Sequence, residues 1–369
     1  MSGPTAQTTD KPPTEPVEPK LSETKTLSLP STVLSIAEDT ENGTLFCACM
    51  DGGIYAVNIA SGERTELYRH DSFASGVHWV PERHLLLSSG YDGQIKWFDT
   101  VRNAEFRYIK AHDFWSWQSA ISSDRKMIAS VTGQYRSGGY KYEPAPETEP
   151  SVKVFDTHTG DLRVALPHVP PVESVAFTND GKFVAAGNLM GEVRIWEIAT
   201  GEMAANWTTP NFTGWGVIKG HYFTGGVFSI AFSPDDSEIY LSGMGTTRDP
   251  AAGNGKQLWE AFTWRNGKPE MTATNADKTG RGLMETVRFH PSNRFFVMAG
   301  RLFNGNWNAA FYDATTRDEL HTLKTGYRVS SSAFSTDGTN LFLAGGRKQP
   351  RNKEAEGDFG VVKVYLVEV

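Results

Sequence analysis

The sequence predicts an all-β chain, a seven-bladed β-propeller of four-stranded antiparallel blades, and three observations lead there. The first is the segment 168–207, where short runs at 172–177, 183–186 and 193–198 alternate apolar with polar residues, and a fourth run follows at 202–207. Turn formers separate them at 178–181, 188–191 and 199–201. Alternation of period two between Gly, Asn and Asp punctuation reads as an antiparallel meander. The second is recurrence. The end of a third strand and the tight turn after it come back at 57–62, 97–103, 155–160, 196–201, 262–267 and 312–317, with a closing copy at 364–366. The turn between first and second strands keeps step with it, at 80–83, 122–125, 179–181, 233–236, 290–293 and 336–338. One such sheet cannot bury both faces alone, so a series of them predicts blades that cover one another in a ring. The third is an isolated strand-like run at 24–30, matched by a last repeat that ends on its third strand at 361–369. The N-terminal strand would complete the seventh blade and remove the open sheet edges.

Taken in order, residues 1–23 hold five prolines with Thr and Glu and almost no large apolar side chain, a composition that predicts a disordered tail. Residues 24–369 form the propeller, which grows by adding blades and so is not limited by the size of one core. Hairpin turns within the repeats stay short. The long insertions fall between second and third strands (132–150, 243–256, 300–306, 345–358) and between fourth and first strands (208–226, 274–283). In a four-stranded meander both connections leave from the same end of the blade, so one face of the disk carries the elaboration, the usual place for function on a rigid scaffold.

Composition bounds the chemistry. A net charge of −7 and the lack of any basic run exclude nucleic acid as a general ligand, because phosphate binding needs concentrated Lys and Arg. The two cysteines, Cys47 and Cys49, share one face of one strand, a poor disulfide geometry, and read as buried, reduced thiols. No apolar run is long enough for a membrane span and the start lacks a secretory pattern, so the expected location is the cytoplasm.

These repeats resemble the WD-repeat family over roughly residues 24 to 369, more in order and spacing than in letters. In that family a His before the first strand, a Ser or Thr on the second, an Asp in the following turn and a Trp on the third make a hydrogen-bonded set inside each blade. The second repeat offers His70, Ser88 and Asp92, with Phe98 where the Trp would stand and Trp97 one place early. The third keeps His112 but has Phe155, and the fourth has His168 and Trp196 with Met190 in place of the Asp. The resemblance implies a non-enzymatic platform for a protein partner, a monomeric propeller within a larger assembly.

The elaborated face suits that reading. Trp115, Trp117, Tyr135, Arg136, Tyr140, Tyr142, Trp215, Tyr222, Arg248, Arg281, Arg301, Phe303, Trp307 and Arg347 are the candidate partner contacts, with Phe114 and Phe212 nearby. Aromatics and Arg are enriched at binding hot spots, although long loops also use such rings to pack down. Catalytic motifs are missing: there is no G-x-S-x-G, complete phosphate loop, H-E-x-x-H or C-x-x-C, and neither cofactor nor metal is expected. The alternative is a propeller hydrolase or lactonase with a small-molecule or metal site at the channel mouth, for which Asp249, Asp277 and Asp358 are the first candidates.

Overall fold

In the computed structural model, which describes residues 18–136, 143–212, 226–245, 256–275, 282–302, 305–347 and 357–369, the segment 168–207 folds as the meander its alternation predicts. Its strands Val172–Phe177, Phe183–Asn188, Glu192–Glu197 and Met203–Thr208 pair in that order. Five more sheets of this kind occupy 33–69, 74–110, 118–166, 226–274 and 282–323. The seventh joins Arg328–Phe334, Asn340–Gly346 and Gly360–Glu368 to the N-terminal strand Lys20–Leu29. The first strand of each blade lies innermost and packs against the first strands of both neighbours, so the ring is closed around a channel.

The closing strand begins earlier than the sequence suggests. It starts at Lys20 rather than in the mid-twenties, so residues 20–23, assigned to the tail by composition, pair with the end of the chain (Lys20 with Glu368, Glu23 with Tyr365). Composition hides this because the outermost strand of a blade needs few apolar residues. Only Leu27 and Leu29 of this strand are fully buried, and its polar end is held by Lys363 donating to Glu23 at 2.8 Å.

The apolar residues sort into seven clusters, one between each pair of adjacent blades. This is why single blades are not stable units: each face is completed by the next blade. Neighbours on one strand serve different cores. Trp97 faces the interface of blades two and three, where its Nε1 donates to Thr157 O at 2.7 Å, while Phe98 faces the interface of blades one and two. Cys47 and Cys49 lie in the core that closes the ring; both are free, and burial pushes their thiols up.

Blade two carries a buried relay. His70 Nδ1 donates to Asp92 at 2.9 Å, its Nε2 accepts from the Ser88 hydroxyl at 2.8 Å, and Ser88 in turn accepts from Tyr68 at 3.0 Å. Tyr68, on the outer strand of blade one, stacks on Phe98 at 4.6 Å and 16°. A ring that cannot donate is thus paired with a phenol that can. Blade three replaces the Asp with Glu149: His112 Nε2 lies 3.0 Å from Ser130 Oγ and its Nδ1 lies 3.7 Å from the Glu149 carboxylate. Burial alone would raise that carboxyl, but the nearby His112 and the hydrogen bond from Lys153 hold it down at about 2. Blade four keeps little of the set. His168 packs edge-on to Trp196, its Nε2 reaches only Ala186 O at 3.3 Å, and burial with the nearby Arg194 pushes its titration down to about 3.

Candidate functional site

A single backbone irregularity, repeated around the ring, builds the channel mouth. In six blades the pairing of first and second strands slips by one residue near the start of the inner strand, between Val33 and Ser35, Ala74 and Gly76, Val172 and Ser174, Val227 and Ser229, Met284 and Thr286, and Val329 and Ser331. A bulge of this kind leaves one extra residue unpaired and re-aims its side chain. The extra residues are Leu34, Ser75, Glu173, Phe228, Glu285 and Ser330, and all six line the channel cavity of about 520 Å³. Blade three has Trp117 at the matching place, just before its strand Gln118–Ile121, and Trp117 lines the cavity too. Inner strands begin at the end from which the long connections leave, so this ring opens on the elaborated face.

Above it stands a cluster of stacked rings from blades two and three. Tyr91 stacks on Trp115 at 4.9 Å and 10°, Phe114 also stacks on Trp115 at 4.8 Å and 15°, and Trp117 meets Trp115 edge-on at 5.2 Å. Phe73 adds a tilted contact to Tyr91 at 5.3 Å. Offset and edge-to-face arrangements at these separations are the favoured geometries for aromatic pairs. The backbone beneath is held fast: Thr132 Oγ1 donates to Trp115 O at 2.7 Å, Trp117 Nε1 to Gly133 O at 2.9 Å, and Tyr91 N to Phe73 O at 2.8 Å. Yet Phe73 and Trp115 remain 39% and 40% exposed, so the cluster is rigid without being covered.

The charges in the channel are unevenly matched. Glu285 accepts from Arg328 in a bidentate pair at 2.7 and 2.7 Å. Deeper in, His78 Nε2 lies 2.9 Å from Ser119 Oγ, and burial with the nearby Arg288 pushes its titration down to about 4. Arg288 donates to its neighbour's carbonyl, Val287 O, at 2.7 Å. Glu173 faces the same space, and burial raises its carboxyl to about 7.

The residues expected to contact a partner distribute as follows. Trp115 and Trp117 belong to the cluster. Arg301 and Arg347 are exposed on the same face, and Trp307 is half-buried against the core of blades five and six, where its carbonyl accepts from Gln257 at 2.9 Å. Tyr135 and Arg136 pair as backbone with Pro144 and Glu143. Phe212 is fully buried in the core of blades four and five, an anchor and not a contact. Tyr140, Tyr142, Trp215, Tyr222, Arg248, Arg281 and Phe303 lie outside the described residues, as do Asp249 and Asp277. Asp358 is engaged by Arg64 at 2.7 and 3.0 Å. Among the described residues no group of three or more His, Cys, Asp or Glu is placed to hold a metal, and no helix is long and apolar enough to cross a membrane. Sequence reading missed Phe73, Tyr91 and Glu173. The first two sit singly in short turns, and Glu173 looks like the outward residue of an alternating strand.

Comparison with known proteins agrees with the architecture. The WD domain, G-beta repeat, matches residues 62–99 and 215–248, and the first of these spans contains the whole His70–Ser88–Asp92 set. The chain is 26% identical over 184 residues to eukaryotic translation initiation factor 3 subunit I of Dictyostelium discoideum, covering 46% of this chain and 53% of that protein. It is 26% identical over 135 residues to target of rapamycin complex subunit wat1 of Schizosaccharomyces pombe, covering 36% of this chain and 38% of that one. With serine-threonine kinase receptor-associated protein of Gallus gallus it shares 21% identity over 273 residues, 74% of this chain and 63% of the relative. The matched region thus spans about half of the first relative and less of the second. Seven four-stranded blades, a WD-type relay in blade two and these matches together make the chain a seven-bladed β-propeller that is similar to WD-repeat proteins, with two matched repeats.

Proposed function

We propose that this propeller is a non-enzymatic, cytoplasmic interaction platform, a monomeric disk within a larger assembly, whose elaborated face docks a protein partner. One observation carries the reading: five mutually packed rings, Phe73, Tyr91, Phe114, Trp115 and Trp117, stand at the channel mouth on a backbone held by hydrogen bonds, with two of them about two-fifths exposed. A packing anchor would be covered by its own loop, whereas rigid uncovered aromatics lose little entropy on binding and fit the residue types of hot spots. The names of two relatives, a subunit of a translation initiation factor and a subunit of the target of rapamycin complex, support placement in an assembly. Arg301 and Arg347 would extend the contact surface around the ring, together with those candidates that lie outside the described residues.

The test is affinity capture from the native organism with the wild-type chain, the double variant Phe73→Ala/Trp115→Ala, and a control altered on the opposite face, Arg125→Ala/Lys182→Ala. Hot-spot truncations should each cost about 1–4 kcal/mol of binding, so the double variant loses the partner while the control keeps it. Retention by the aromatic variant and loss by the control would assign docking to the other end of the disk.

A further inference from the structure

Of the two carboxylates that the bulges turn into the channel, one is already answered. Glu285 is clasped by Arg328. Glu173 has no cation opposite it among the described residues, although Tyr91 and Trp117 line the same cavity. The position is unusual for a group with no structural duty. A glutamate on an inner strand is free to be Leu, Ser or Phe, as the equivalent residues Leu34, Ser75 and Phe228 show. A carboxylate here costs the fold and returns nothing to it unless something from outside supplies the positive charge. The neighbouring rings give the negative π faces that favour a cation over a neutral group.

We infer that Glu173 is the acceptor for a cationic side chain, Lys or Arg, which a docking protein inserts into the channel mouth past the rings of Tyr91, Trp115 and Trp117. The inference rests on the platform reading and names the chemistry of the partner's central contact. The other groups facing the site do not compete for the role. Arg328 is committed to Glu285 in the seventh and sixth blades, and Arg288 lies deeper, near the neutral His78. Tyr91 stays protonated, because burial first and the charge of Glu173 second push its hydroxyl up. The channel group that titrates near neutrality is therefore Glu173, at about 7 in the absence of a partner.

Three capped tripeptides with Arg, Lys or Gln between two glycines serve as probes, and the indole N–H resonances of Trp115 and Trp117 in tryptophan-labelled protein serve as the readout. The Arg and Lys peptides should shift both resonances saturably and the Gln peptide should not. Glu173→Gln should weaken binding about ten-fold or more, the loss expected for one charge-assisted contact. In the wild-type protein, with no substitution at all, binding at about pH 6 should be roughly ten-fold weaker than at about pH 8, as the free carboxyl takes up its proton. Binding indifferent to Glu173→Gln and to pH, equal binding of the Gln peptide, or no saturable shift with either cation would overturn the assignment. These outcomes are separable from docking itself. Partner capture that depends on Phe73 and Trp115 while cation binding ignores Glu173 removes this inference and leaves the platform; cation binding that depends on Glu173 while capture ignores the rings does the reverse.

Discussion

Replacing Glu173 with Gln should stabilise the free propeller above neutral pH and leave it unchanged in acid. Burial in the channel wall raises the carboxyl from its ordinary 4.5 to about 7. Below the lower value both folded and unfolded chains hold the proton and the side chain contributes no pH dependence. Between the two values the unfolded chain releases a proton that the fold retains, so the stability of the wild type falls as pH rises, and above the higher value the penalty is complete. The gap between them is worth about 3 kcal/mol, and channel water, which still reaches this partly exposed side chain, reduces the figure to about 2 kcal/mol. Gln keeps the shape and hydrogen-bonding ends without the charge, so the variant escapes this cost. With an unfolding entropy of about 2.1 cal/mol/K per residue, the gain over a 369-residue chain is about 3 °C in melting temperature. Thermal scans of both proteins at about pH 4 and about pH 8 would show coincident curves in acid and the variant melting higher in base. A variant that melts lower at the higher pH would mean that Glu173 is satisfied in the free protein, and the argument for an incoming cation would go with it.

Three further outcomes follow from the packing. His70→Ala leaves Asp92 and Ser88 short of a buried partner and should cost about 2–4 kcal/mol by urea denaturation, while Tyr68→Phe, which keeps the stack on Phe98 and removes only the hydroxyl, should cost about 1 kcal/mol. Equal costs would show that the relay is not a unit. Deleting residues 1–29 removes the strand paired with Gly360–Glu368 and the buried Leu27 and Leu29, and should lower the melting temperature by several degrees and promote association through the bared edge; a melting temperature equal to that of the full chain would refute closure by this strand. Trp97→Ala, which empties a fully buried site, should cost about 3–5 kcal/mol, whereas Trp115→Ala, two-fifths exposed, should cost less than about 1.5 kcal/mol; comparable losses would make Trp115 a structural anchor and weaken the docking reading.

The architecture was legible because its signals are local and repeated. Alternation at 172–177 and 193–198 marks strands wherever one face is buried, and turn formers such as Gly, Asn, Asp, Ser and Pro at the tight turns mark the reversals. What repetition could not show is substitution across blades. Phe98 read alone is a lost hydrogen bond, yet the donor comes from Tyr68, thirty residues earlier and in the blade before. In blade three the carboxylate comes from the same repeat but out of register: Glu149, at the far end of an insertion, stands 3.7 Å from His112 Nδ1 without bonding it. A pattern of fixed spacing within one repeat is blind to both. The early start of the closing strand was missed for a related reason: an outermost strand is held largely by its backbone ladder, and a ladder leaves no mark on composition.

The channel mouth escaped for a deeper reason, and that reason bears on where function can reside in such a ring. A strand whose alternation is unbroken has every side chain assigned, inward to one core or the other, and a change at any position is felt in packing. The slip of one residue at the start of six inner strands frees one position per blade from that assignment. Those positions hold Leu, Ser, Glu, Phe, Glu and Ser, with Trp at the seventh, a range of size and charge that no core site tolerates. Side chains that vary so widely on an invariant backbone are set by what they meet and not by what holds them. A search for the determinants of partner choice should therefore begin with these seven positions and the rings of Phe73, Tyr91 and Trp115 above them, because exchanging residues there changes the chemistry of the mouth while the seven interblade cores stay as they are.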